Sequence, residues 1–131
     1  MATRPAFAST PRQGQASIAT AEASLTAPTN VGTVFTAGAN GSRVERLRAV
    51  GAATTSAGLV NVFLHDGSVY RLIRSIVVGA VTPSATVAAW GSDGSGMISF
   101  EGGLLLPSGW SLRVATTQAQ TIHVTADGAD L

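Results

Sequence analysis

The chain contains no cysteine, no lysine and few charges of any kind. Only 11% of its 131 residues are ionic, where a typical soluble domain carries about 25%. Without cysteine there is no disulfide framework and no thiolate zinc site, and the redox compartment stays open. Disorder requires low hydrophobicity with high net charge. This chain has the reverse, with 45% hydrophobic residues and net charge +1. That balance, with no basic stripe, also argues against direct nucleic-acid binding. Aromatic residues are scarce at 5%, so the positive mean hydropathy of +0.31 comes from small and β-branched side chains. No long apolar run survives inspection. The stretch from Arg74 to Asp93 is uncharged, but Gly79, Thr82, Pro83, Ser84 and Thr86 interrupt it. It reads as short strands around a turn and not as a membrane span. The N-terminus lacks the continuous apolar core of a signal peptide. The expectation is a soluble protein made in the cytoplasm, with no membrane partner.

All eight basic residues are arginine. Lysine is the usual solubilising cation of a free surface, whereas arginine is enriched at protein contacts. A monomer of this mass exposes about 6,400 Å², which leaves roughly one charge per 430 Å². Such a surface is expected to be covered largely by other protein.

Residues 1–16 are rich in Pro, Gln, Ser and Thr and show neither helical nor strand periodicity. With Pro5 and Pro11 interrupting any ladder, they read as an N-terminal arm. Disorder accounts for such a segment equally well as ordering on a neighbouring subunit, with Phe7 as anchor and Arg4 and Arg12 as contacts. Residues 17–131 are punctuated by turn signals at short intervals, the pattern of an all-β sandwich. The run 59–64 ends at Asp66-Gly67 and pairs with 69–78 as a central hairpin. Period-2 alternation marks strands at 110–115 and 121–126, expected to form a second hairpin. Weaker strands are expected at 17–25, 31–37, 85–90 and 97–101. Segment 43–50 is ambiguous. Val44, Leu47 and Val50 recur every third residue as in a helix, but Gly-rich flanks and the absence of a capping box favour a strand. The fold class expected is a single all-β, jelly-roll-like sandwich of about eight strands behind an extended arm.

Catalytic constellations are poorly represented. His65, Asp66 and His123 invite a triad, but Asp66-Gly67 is explained by turn geometry and no G-x-S-x-G elbow is present. Asp93 in the glycine loop 91–96 lacks the companions of a calcium site, and a mobile loop is the default there. No phosphate loop is possible without lysine. No enzyme activity, metal or cofactor is therefore expected. The one basic cluster, Arg43, Arg46 and Arg48, suits a partner protein's carboxylates. Among Tyr70, Trp90 and Trp110, Trp90 at the lip of the glycine loop is the aromatic left open for a glycan contact.

The phrases NGSRVERLRAVGAATTSAGLVNVFLHDGSVYRLIRSI (40–76), TPSATVAAW (82–90), LPSGWSLRVATT (106–117) and QTIHVTADGADL (120–131) resemble small structural proteins of tailed-phage and prophage head gene clusters. The resemblance covers roughly residues 25–131 and rests on strand–turn phrases. It implies a capsid decoration (cement) protein that assembles as a trimer on the outer surface of the virion head. Its partner would be the major capsid protein, with the arm locking subunits or engaging the shell. The alternative expectation is a glycan- or receptor-binding module of a tail or head fibre.

Overall fold

The computed structural model describes residues 10–131. Arg4 and Phe7 lie outside the described residues. Eight strands and no helix are present among those described: β1 (Thr10–Ile18), β2 (Gly32–Thr36), β3 (Ser42–Gly51), β4 (Gly58–His65), β5 (Tyr70–Val78), β6 (Met97–Leu106), β7 (Ser111–Thr116) and β8 (Ile122–Asp130). They form two antiparallel four-stranded sheets, in the orders β1-β8-β3-β6 and β2-β7-β4-β5. Consecutive strands repeatedly change sheets, the winding of an eight-stranded jelly roll. The expected all-β sandwich of about eight strands is thus the observed one.

The inward faces supply the core. Val44, Leu47, Ala49, Ile122, Val124 and Ala126 from one sheet meet Val34, Val60, Val62, Leu112 and Val114 from the other, all nearly or wholly buried. Small and β-branched side chains dominate, so the layers pack closely without many aromatic rings.

The two sides of the sandwich differ. On one side β1 and β2 approach so closely that a Cβ at Gly14 would sit 1.8 Å from the Val34 carbonyl oxygen. Only glycine fits there. On the other side β5 and β6 stand apart, and a groove lined by Arg74, Ser99, Phe100, Glu101, Gly103 and Leu104 runs between them.

Several expectations need correction. Residues 10–16 are not part of an arm: β1 pairs with β8 in continuous register from Thr10–Asp130 to Ile18–Ile122. Pro11 is tolerated because β1 is an edge strand, where a missing donor can face away from the ladder. The strand expected at 17–25 therefore ends at Ile18, leaving only an isolated bridge from Ala21 to Thr116. Segments 110–115 and 121–126 are both strands, but they do not form a hairpin. β7 pairs with β2 and β4, whereas β8 pairs with β1 and β3. The Thr117–Thr121 connection crosses between sheets. The strand expected at 85–90 is a turn, in which Ser84 Oγ accepts N–H bonds from Thr86 and Val87. Local hydroxyl bonding of this kind competes with a sheet ladder. The β4–β5 hairpin stands as expected.

Candidate interaction surface

Segment 43–50 is a strand with one irregularity. Its register with β8 slips between Val44 and Arg46, so Glu45 is an extra residue there, whereas against β6 the excess lies on the partner, residues 100–103 standing opposite Glu45. A bulge of this kind rotates the side-chain phase of the strand beyond it. Val44 before the bulge and Leu47 and Ala49 after it all point into the core. Arg43, Arg46 and Arg48 consequently share the outward face. The bulge explains the spacing of three between Val44 and Leu47 and the apparent mixing of arginine with apolar residues, whereas Val50 falls on the outward side with Arg46 and Arg48.

Neighbouring strands extend this face. Arg43 pairs with Ala129 and Leu105, Arg46 with Asp127 and Ser99, and Arg48 with Thr125 and Met97. Leu105 is 63% exposed and Met97 41%. Gln13, opposite Asp127, donates from Nε2 to Asp127 Oδ1 at 3.1 Å, while Arg46 Nε lies 3.4 Å from Asp127 Oδ2. Arg43 Nε is 3.0 Å from Glu45 Oε1, a charge contact whose angles do not make a hydrogen bond. These pairs are substantially solvated and contribute about 0–1 kcal/mol each. Arg48 has no ion pair among the described residues. The result is a sheet face with three arginines, two exposed apolar side chains and the carboxylates of Glu45 and Asp127 beside Arg43 and Arg46.

Arg12 does not belong to it. Its Nη1 donates to the Thr36 carbonyl and to Asp130 Oδ1, both at 2.8 Å, and its guanidinium lies 4.6 Å from the Phe35 ring centre. Asp130 Oδ1 also accepts from Ser42 Oγ at 2.6 Å, and that oxygen accepts the Gly38 N–H. The Ser42 hydroxyl and the Arg12 guanidinium hold the Asp130 carboxyl below its ordinary range. Arg12 is a clasp within the chain joining β1, β2 and β8, a role the sequence reading did not give it.

Trp90 is likewise internal. It is only 6% exposed and belongs to the core. The glycine loop beside it is packed against β3: Gly51 N donates to the Trp90 carbonyl and Ala49 N to the Gly96 carbonyl. At Gly91, with φ +84°, a Cβ would lie 2.2 Å from the Ala49 carbonyl oxygen. These glycines permit close backbone approach. The expectation of an open aromatic at Trp90 is corrected, while the loop is anchored at Gly91 and Gly96 and exposes residues 92–95.

His65 and His123 are not brought together. His65 ends β4 opposite Ser111, the first residue of β7. His123 lies near the start of β8 in the other sheet, beyond the far end of β7. Their separation includes most of the length of β7, about 17 Å for six residues. Among the described residues no group of three or more His, Asp or Glu side chains is placed to hold a metal ion.

The sequence reading overlooked one cluster. A register shift between Val62 and Phe63 divides β5, so that Ile76 and Val78 face the core whereas Tyr70 and Leu72 pair with His65 and Phe63 on the outward face. Arg113, between Leu112 and Val114 of the core, faces the same way. Its Nη1 donates to Tyr70 Oη at 2.7 Å and its Nε to Ser111 Oγ at 3.0 Å. The alternation of 110–115 was the available signal for Arg113. Nothing in the sequence marked the shift that turns Tyr70 outward.

Compared with protein-family models, curated proteins and solved structures, the chain matches none.

Proposed function

We propose that this protein is a virion structural protein, a decoration or cement protein that binds the major capsid protein on the outside of a phage head and acts there without catalysis. The observation that carries this reading is the outward row Arg43, Arg46 and Arg48, flanked by Leu105 and Met97. Arginine can form paired hydrogen bonds with carboxylates. Exposed apolar side chains beside it add area that gains by leaving water. A sheet face carrying both suits a broad protein contact better than it suits a small substrate. The phrase resemblance and the low ionic content of the chain support the same reading. Jelly rolls serve in viral capsids but also in lectins and cupins, so fold alone carries little weight.

The proposed mechanism is accumulation of contact area. A standard interface buries about 800 Å² per partner, and linked copies around a closed shell gain further by multivalency. A trimer is the proposed assembly unit.

The test uses heads lacking the protein. The triple variant R43Q/R46Q/R48Q is expected to keep its circular-dichroism spectrum and melting temperature while losing most binding to the heads. Native protein is expected to raise their resistance to heat. Undiminished binding by a folded triple variant would overturn the assignment of this face. Binding that adds no heat resistance would overturn the cement role.

A further inference from the structure

The outward face of the β2-β7-β4-β5 sheet carries an arrangement that the proposed docking does not use. Tyr70, His65 and Arg113 are partly exposed there, above the fully buried Phe63. The His65 and Tyr70 rings lie 4.4 Å apart, and Phe63 meets Tyr70 edge-on at 5.9 Å. The pattern of donors and acceptors is one-sided. Tyr70 Oη and Ser111 Oγ each accept from Arg113, which leaves both hydroxyl protons to donate. His65 Nδ1 accepts the Gly67 N–H at 3.2 Å. The proton of the neutral ring therefore sits on Nε2. Arg113 keeps three N–H groups beyond these two bonds. Its charge has no carboxylate partner among the described residues. Asp66, the acid next to His65 in the chain, turns its Oδ1 to the backbone N–H groups of Ser68 and Val69.

A cluster in which each hydroxyl already accepts from Arg113, the partly exposed Tyr70 O–H and Arg113 N–H groups can donate, and the arginine has no carboxylate partner among the described residues is complementary to a single anion. A carboxylate balances it one for one, whereas a phosphate monoester would bring excess charge. The partly exposed Tyr70 and His65 rings add an apolar surface for the C–H face of a sugar. We infer that Arg113, Tyr70 and His65 form a binding site for one carboxylated sugar residue, such as a hexuronate in an acidic polysaccharide. The choice of a saccharide rests on the docking reading. The two outward faces of a sandwich lie on opposite sides, so a copy docked through Arg43, Arg46 and Arg48 turns this cluster to the medium.

The test is a titration of the full chain by sodium D-glucuronate, D-glucose and sodium acetate, followed by NMR. Glucuronate is expected to give saturable shifts centred on residues 63–72 and 111–113, with affinity on the order of 1 mM. Arg113→Gln is expected to weaken it at least ~tenfold, the scale of one charge-assisted contact. Tyr70→Phe, which keeps the ring, should weaken it less. Glucose is expected to give no shifts at the same concentration, and acetate to bind at least ~tenfold more weakly than glucuronate.

Absence of saturable shifts, or unchanged binding by both variants, would overturn the site. Equal binding of glucose would overturn the role of charge, and equal binding of acetate would overturn the saccharide in favour of a protein carboxylate. No shell enters this measurement, so it fails separately from docking. An R113Q chain that loses glucuronate but still binds heads would uphold both readings. Loss of head binding by R113Q, with the triple-arginine variant still bound, would overturn both by reversing the faces.

Discussion

At Trp90, burial decides the role of the residue. An indole that is 6% exposed and packed between sheet and glycine loop gives up a large contact area when truncated. Trp90→Ala is expected to cost about 3–5 kcal/mol, measured by urea denaturation. An exposed ligand-binding tryptophan would cost far less. The Arg12–Asp130 clasp adds a dependence on pH. Its carboxyl is held below the ordinary aspartate value of about 3.9. A group depressed in the folded state stabilises fully above its unfolded pKa and loses that contribution as pH falls through the folded value. The melting temperature is therefore expected to drop through the acid range below about pH 4. Asp130→Asn should reduce that drop while lowering stability at pH 7. An unchanged acid limb in this variant would assign the loss to other carboxylates.

The faces of the two surfaces described depend on two of the register shifts, one at Glu45 and one opposite Val62 and Phe63. Deleting Glu45 removes the extra residue and would turn either Val44 or the Leu47–Ala49 pair out of the core. The deletion is expected to abolish cooperative thermal unfolding, whereas Glu45→Ala, at an exposed site, should change stability by less than about 1 kcal/mol. Retention of a native melting curve by the deletion would show that the phase change has another origin.

The same shifts limited what could be read from the chain. Strand content was legible because β-branched alternation and turn residues are local properties. The β4–β5 hairpin was legible because Asp66-Gly67 demands a tight turn. The exchange of sheets between β7 and β8 was not, since a short connector serves a hairpin and a crossover alike. Arg43, Arg46 and Arg48 were recognised as a cluster from spacing, but their common face follows only from the bulge. Trp90 was misread because its packing against β3 is hidden in the loop, and the clasp of Arg12 was not legible because Asp130 is distant in sequence.

For the whole molecule, the governing quantity is ionic poverty spread over two sheet faces of different character. One presents arginines at an open surface; the other holds Arg113 among neutral donors. Attachment through the first should weaken with added salt, since screening shortens from about 10 Å at 0.1 M to about 3 Å at 1 M. Binding to heads is expected to fall across that range, and salt-independent binding would favour Leu105 and Met97 over the arginines. The pairing of Thr10 with Asp130 has a practical corollary. Cα atoms facing each other across an antiparallel ladder are only about 5 Å apart. A few flexible residues would join position 131 to position 10, and new ends opened between Gly67 and Ser68 would give a circular permutant expected to fold. Passenger peptides fused at position 131 would emerge from the corner where β1 begins, making that corner the natural port for display.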